Sequence, residues 1–217
     1  MTLASTNAYD SNHMKTSVSS LPSTLHNLLP TSLHGLCTAT SVKKGSLLFQ
    51  TGKKPQLMFF VVDGEVTLER LSQQGDPVVL QRTRHGFVSE ASLQSAKYHC
   101  DGRAVANSDL VQIPIQDLAE ALRSDADFSA RWISMLNQEV KRLRLQCERL
   151  SLKSVKERVH HLILTEGKDG AYQVDTGLKS LASQLGVTHE ALYRTLASLE
   201  KSGEIKRADH ALNLICA

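Results

Sequence analysis

From Asp127 to Lys156 thirty consecutive residues pass without a Gly or Pro, a run that admits little but one long helix. Along it Ile133, Leu136, Val140, Leu143, Cys147 and Leu150 recur at alternating steps of three and four, the a/d spacing of a coiled-coil seam. Arg131, Lys141, Arg142, Arg144, Glu148 and Arg149 flank the stripe. A helix lying on its own domain buries a broader face. So narrow a stripe is expected to pair with a copy of itself, making residues 127–153 a dimerisation helix and the six seam residues the interface of a homodimer. Cys147 then counts as a small apolar side chain buried in the seam rather than as a switch.

Upstream the periodicity is different. After a short helical pattern from Leu25 to Gly35, brief apolar runs alternate with glycines: "VKKGSLLFQTGKKPQLMFFVVDGEVTLERLSQQGDPVVLQRTRHG". Gly45, Gly52, Gly64, Gly75 and Gly86 each stand where a turn would require positive φ. "VVDGEV" reads as a two-residue hairpin turn and "SQQGDP" as a slightly longer one. So many short antiparallel strands predict a small barrel or jelly roll over residues 25–126. Residues 1–24, rich in Ser, Thr and Asn, are expected to be a disordered arm. They contain no apolar run that could serve as a signal segment, and no later stretch could span a bilayer, so no membrane partner and a cytoplasmic location are expected. The chain's 217 residues, 41% of them hydrophobic, can bury a real core, and a formal charge of +3 neither demands nor opposes a polyanionic partner. Cys37, Cys100, Cys147 and Cys216 are far apart with no C-x-x-C pair, which argues against a zinc ribbon or a disulfide framework.

Residues 154–217 carry the most specific pattern. "SVKERVHHLILTEG" is helical up to Gly167, and "AYQVDTG" gives a short strand and turn. In "LKSLASQLGVTHEALYRTLASLEKSGEI", Leu178, Leu181, Ala182 and Leu185 make one apolar face. Gly186 permits a tight turn, and Thr188 is a good N-cap for a second helix that turns Leu192, Leu196 and Leu199 inward. This is a helix-turn-helix, and "GEIKRADHALNLICA" adds a hairpin, or wing, with Ala208 to His210 near its tip. The fold class is therefore α+β. The second helix of such a motif enters the DNA major groove. His189, Glu190, Tyr193 and Arg194 project away from the leucines. Arg194 can bond guanine O6 and N7 together, and Glu190 can accept from the cytosine N4 amine. Thr188, Lys206 and Arg207 suit phosphate contacts. The plainer alternative is a winged helix used for protein contact, with Glu190 and Arg194 an i,i+4 surface ion pair.

The order of glycine-punctuated barrel, long helix and winged helix resembles the Crp/Fnr family of bacterial transcription regulators, over nearly everything after the arm. "GVTHEALYRTL" is similar to that family's G-x-S-R-E-T-x-x-R-x-L pattern. The resemblance implies that Glu190 and Arg194 are base readers on a two-fold symmetric double-stranded site with a TGA-like core in each half; His189 stands where arginine is common. It also implies RNA polymerase as a partner if the protein activates. In cyclic-nucleotide-binding members a G-E-[ILV]-[AGS]-L stretch and a following Arg-Ser pair hold the ribose and phosphate. Here "SEASL" keeps Glu90 and Leu93 but puts Ser89 for the glycine, and the Arg-Ser pair falls on Tyr98 and His99. Burying a cyclic phosphate without a bidentate guanidinium is costly. Arg103 lies five positions beyond the expected arginine, an odd offset that turns it away from the pocket. Binding of cAMP or cGMP is therefore not expected.

Ser89, Glu90, Ser92, Tyr98, His99 and Cys100 are the candidate residues of any ligand pocket. In "YHCDGRA", strand alternation puts Tyr98, Cys100 and Gly102 on one side and His99, Asp101 and Arg103 on the other. A structural strand with a satisfied polar row, a small-ligand pocket, and a thiol or metal sensor all stay open. An iron-sulfur cluster is not expected, because no cysteine precedes Cys37. Cys37, His85, His99 and Cys100 are candidate haem ligands without ligand spacing. No metal site or other cofactor is indicated, and the effector is unknown. Catalysis is not expected either: His99 and Cys100 point apart and cannot form a nucleophile-base pair. Beside a constitutive DNA-binding regulator stand one gated by a small ligand, redox state or haem, and an adaptor of the same fold that binds no DNA.

Overall fold

A computed structural model describes residues 16–17, 21–73, 75, 77–174, 177–208 and 210–215. Most of the expected arm, and Cys216, lie outside them. The chain divides into two compact units, Met1–Ile133 and Ser134–Ala217, with the division inside the long helix.

The first unit contains, in chain order, β1 (Thr16–Ser17), α1 (Ser23–Leu28), α2 (Thr31–His34), β2 (Thr38–Val42), β3 (Leu47–Phe49), β4 (Leu57–Asp63), β5 (Val66–Leu71), β6 (Pro77–Thr83), β7 (Gly86–Phe87), a 3₁₀ turn (Glu90–Ser92), β8 (Asp101–Ala104), β9 (Ser108–Pro114), α3 (Ile115–Ser124) and the start of α4 (Ala126–Ser151). A five-stranded sheet in the order β1, β2, β9, β4, β7 faces a four-stranded one in the order β3, β8, β5, β6. The architecture is a jelly roll of two open sheets rather than a closed barrel. Between them lies one core of Val42, Leu48, Phe49, Phe59, Val61, Val66, Leu68, Val88, Tyr98, Cys100, Ala104 and Leu110. β4 is buried on both faces. Phe59 stacks on Phe49 inside the roll at 5.8 Å, while Phe60 meets Phe87, which in turn contacts Trp132 of α4 at 5.0 Å. A strand covered on both sides reads as a continuous apolar run, which is why "LMFFVV" shows no alternation.

Two expectations need correction. The arm expected to run unstructured to residue 24 carries β1, paired with Thr38 and Ala39, and α1, which begins at Ser23. The reason is burial: Leu25 and Leu29 lie in the core, and Pro22 sets the helix entry at φ −51°. Nor is "VVDGEV" a hairpin. β4 pairs with β7 and β9, and β5 pairs with β6 and β8, so Asp63-Gly64 carries the chain from one sheet to the other. Gly64 has φ +90° and lies so close to β9 that a Cβ would come 2.3 Å from Ser108 Oγ. The glycine serves a close approach as much as a turn. The "SQQGDP" stretch does join a hairpin, β5 with β6.

The second unit holds the rest of α4, then α5 (Val155–Glu166), β10 (Ala171–Gln173), α6 (Gly177–Gln184), α7 (His189–Lys201), β11 (Ile205–Ala208) and β12 (Ala211–Leu214). β10, β12 and β11 form an antiparallel sheet of three strands, and α5, α6 and α7 bury Val159, Leu162, Ile163, Leu181, Leu185, Leu192, Leu196 and Leu199 against it. Ser154 starts α5 with a reciprocal capping box to Glu157.

Candidate functional site

The helix-turn-helix is built by two local devices. At the end of α6 the chain turns through Gly186 at φ +65°. There Val187 N donates to Ala182 O (3.0 Å) and Gly186 N to Ser183 O (3.1 Å), the paired backbone bonds of a left-handed helix cap. Two residues on, Thr188 Oγ1 accepts from Ala191 N at 3.2 Å and starts α7. With Leu192, Leu196 and Leu199 wholly buried, the opposite face of α7 is fixed as the exposed one. Thr188, His189, Glu190, Tyr193 and Arg194 are all exposed there. Among the described residues neither Glu190 nor Arg194 has a charged partner, each other included. Their donors and acceptors are free for an external ligand.

The wing is placed differently from a freely exposed hairpin. Lys206 is exposed, but Arg207 is half-buried. Its Nε donates to Glu200 Oε2 at 2.8 Å, Nη2 donates to the same oxygen, and its backbone N donates to Glu200 Oε1 at 3.1 Å. The guanidinium lies over the Tyr193 ring at 5.5 Å, and that ring is 5.6 Å from His189. Hydrogen bonds from Arg207 hold the Glu200 carboxyl below its usual range, and the same bonds raise Arg207 above its ordinary value. Among the residues expected at DNA, Tyr193 and Arg207 therefore brace α7 to the wing, whereas Glu190 and Arg194 do not.

The seam residues of α4 lie open. Ile133 is 56% exposed, Val140 44%, Leu143 37% and Leu150 41%. Cys147 is exposed and Leu136 half-buried. Arg149, expected on the solvated flank, is instead 1% exposed, ion-paired with Glu166 and within reach of Thr165 Oγ1. α5 covers that side of α4, and burial of a guanidinium is sustained there by its carboxylate partner.

In the jelly roll the candidate pocket residues separate. Tyr98 and Cys100 are core, with the Tyr98 ring stacked 4.3 Å from Phe49 and its hydroxyl donating to Leu57 O. Ser89 is buried and bonded to Phe59 N and Met58 Sδ, Ser92 is buried, Glu90 is half-buried and His99 exposed. Burial alternates without a break from Tyr98 to Ala104, although regular pairing of β8 begins only at Asp101. The polar row is satisfied by neighbours rather than by itself. Asp101 accepts from Thr51 N (2.7 Å) and Oγ1 (2.8 Å), Arg103 pairs with Glu69 at 3.3 Å, and the His99 carbonyl accepts from Arg70 Nε at 3.2 Å. Burial pushes both core thiols up, Cys37 to about 11. His85 Nδ1 lies 2.9 Å from Val62 O. Among the described residues no group of three or more His, Cys, Asp or Glu is placed to hold a metal ion, and no helix is long and apolar enough to cross a membrane.

In the second unit, sequence reasoning missed the bonds made by Glu200, Arg149 and Arg158. Their partners lie 6 to 28 residues away, and no local pattern marks them.

Comparison with known proteins agrees with this architecture. Residues 39–125 match the cyclic nucleotide-binding domain family. The chain is similar to a candidate cyclic nucleotide binding protein from Ruegeria pomeroyi, with 25% identity, 88% of each chain covered and a TM-score of 0.57. It is similar to FixK2 from Bradyrhizobium japonicum, at 19% identity over 83% of this chain and 93% of that one, with a TM-score of 0.60. A candidate transcriptional regulator of the Crp/Fnr family from Eubacterium rectale has 19% identity over 88% of this chain and 93% of that one, with a TM-score of 0.52. The chain thus matches the cyclic nucleotide-binding domain family over residues 39–125 and shares its overall fold with these solved proteins, one of them a candidate regulator of the Crp/Fnr family.

Proposed function

We propose that the protein is a homodimeric, sequence-specific DNA-binding transcription regulator that reads a two-fold symmetric site with a TGA-like core in each half. The observation that carries this reading is the exposed face of α7, where Glu190 and Arg194 stand one turn apart behind the Thr188 cap with no charged partner among the described residues. An Arg-guanine and a Glu-cytosine contact are chemically matched to such a pair. The open seam on α4 supports a dimer: a stripe of Ile133, Val140, Leu143 and Leu150 at these exposures is stabilised when a second copy covers it. A two-fold dimer presents its recognition helices to successive major-groove segments about 34 Å apart.

The roll is proposed to work without a cyclic nucleotide. Tyr98 and His99 occupy the clamp positions, Tyr98 is packed into the core on Phe49, and Arg103 is engaged with Glu69 and Gly45 O. No enzymatic activity is proposed.

Fluorescence anisotropy of the protein, without added ligand, on a symmetric TGA-core duplex and on a scrambled one tests the reading. Specific binding that weakens steeply with salt is expected, because neutralised phosphates release counterions. Cyclic AMP or cyclic GMP should leave both titrations unchanged. Absence of salt-dependent binding to either duplex would favour a protein-binding adaptor.

A further inference from the structure

The end of α4 and the turn between α6 and α7 meet on one side chain. From the start of α5, Arg158 donates through Nη2 to Leu150 O (3.2 Å) and through Nε to Leu152 O (3.1 Å). Its Nη1 donates to Leu185 O (2.9 Å) and Gly186 O (3.4 Å). α4 ends at Ser151 and α6 at Gln184. Leu150 O is thus one of the carbonyls that helix geometry leaves without an intrahelical partner, and Leu152, Leu185 and Gly186 lie one or two residues past the C-terminal, negative ends of the two helices. A planar guanidinium can donate in several directions at once, whereas an ammonium acts as a compact point charge.

A second contact joins the same two places. A Cβ at Gly186 would lie 2.8 Å from Leu150 Cδ2, so the last residue of the seam sits directly on the turn that precedes α7. Arg149 in the same turn of α4 is tied to Glu166 at the far end of α5. The end of the seam is therefore bonded to both ends of α5 and, through Arg158, to the turn of the helix-turn-helix.

We propose that Arg158 is a positioning residue for base reading: it locks the α6–α7 turn to the end of the dimer seam, so that α7 is presented at a fixed orientation. The proposal rests on the reading of α7 as the DNA-reading helix. In it, Arg158 touches no base. Its effect is on the orientation of Glu190 and Arg194, and hence on discrimination between sequences rather than on general attraction to DNA.

The test compares wild type with R158Q and R158K in two measurements. In anisotropy titrations R158Q is expected to lower affinity for the symmetric duplex at least tenfold while leaving affinity for the scrambled duplex and the dimer intact. R158K, which keeps the charge but loses the fork, should fall between the two. In amide hydrogen exchange, which needs no DNA, Leu185, Gly186 and Val187 should exchange at least tenfold faster in R158Q, with Leu162 and Ile163 unchanged. Should R158Q not fold, R158K carries both comparisons. Unchanged exchange at the turn, an unchanged ratio between the two duplexes, or an equal loss on both overturns the proposal. If wild type binds neither duplex specifically, the DNA reading fails by itself, and the exchange measurement still decides whether Arg158 locks the turn.

Discussion

Glu200 of α7 holds Arg207 of the wing through one carboxylate that accepts from the arginine's backbone and side chain together, and the same guanidinium covers Tyr193. The Arg207 side chain is thus already committed within the protein. Its phosphate contact, if made, comes from a fixed position rather than a flexible arm.

Substituting Glu200 by Gln removes the charge and frees the wing. The expected result is a loss of a few fold in affinity on every duplex alike, measured by anisotropy, with the ratio between specific and scrambled DNA preserved. The contact is also pH dependent. The Glu200 carboxyl is lowered in the folded protein by the Arg207 hydrogen bonds, so the contact is complete at neutral pH. It is lost as pH falls through that lowered value. NMR shifts of the Tyr193 ring should report this transition in wild type and not in Glu200→Gln.

Arg194→Ala is expected to abolish preference for the TGA-like core, a loss of about 1–3 kcal/mol in discrimination, while sedimentation still reports the dimer. Loss of the dimer in this variant would contradict the assignment of the interface to α4, because Arg194 lies on the exposed face of α7.

The thiols should divide by environment. Cys37 and Cys100 are buried and pushed up, Cys37 to about 11, so at pH 8 alkylation of Cys37 by iodoacetamide should be about two orders of magnitude slower than that of a free thiol, and alkylation of Cys100 should also be slower. Cys147 is exposed in the single chain. A short bifunctional maleimide should therefore link two copies through Cys147 if the seam is the interface. Rapid native-state labelling of Cys100 would instead revive the thiol-sensor reading.

Two glycines are sensitive for different reasons. At Gly102 a Cβ would fall 2.4 Å from the Phe49 ring, and Gly102→Ala should cost about 1–3 kcal/mol by overpacking. At Gly64 positive φ and the backbone of β9 act together, so Gly64→Ala should destabilise at least as much. Chemical denaturation of both variants measures the order.

What could be read from the chain alone was local. Positive φ at Gly45, Gly52, Gly64, Gly75 and Gly86, the Thr188 cap, the Gly186 turn and the wing hairpin all depend on a few adjacent residues, and all are present. The alternation of Tyr98 to Ala104 was equally visible. Pairing between strands was not: the Asp63-Gly64 turn has hairpin chemistry, and only the pairing of β4 with β9 and of β5 with β8 reveals that it changes sheets. Charged residues behaved likewise. Arg149 reads as a flank of the seam because periodicity describes one helix, whereas its burial depends on α5 and Glu166. Arg158 stands in a helix start with nothing to mark it until the ends of α4 and α6 converge on its guanidinium.

The most direct measurement of the central claim is selection of bound duplexes from a randomised library by the purified protein, followed by sequencing. The account predicts enrichment of a two-fold symmetric site with a TGA-like core in each half, and loss of the core from the selected pool when Arg194→Ala is used. A pool without enrichment, or one enriched in a single asymmetric element, would contradict it.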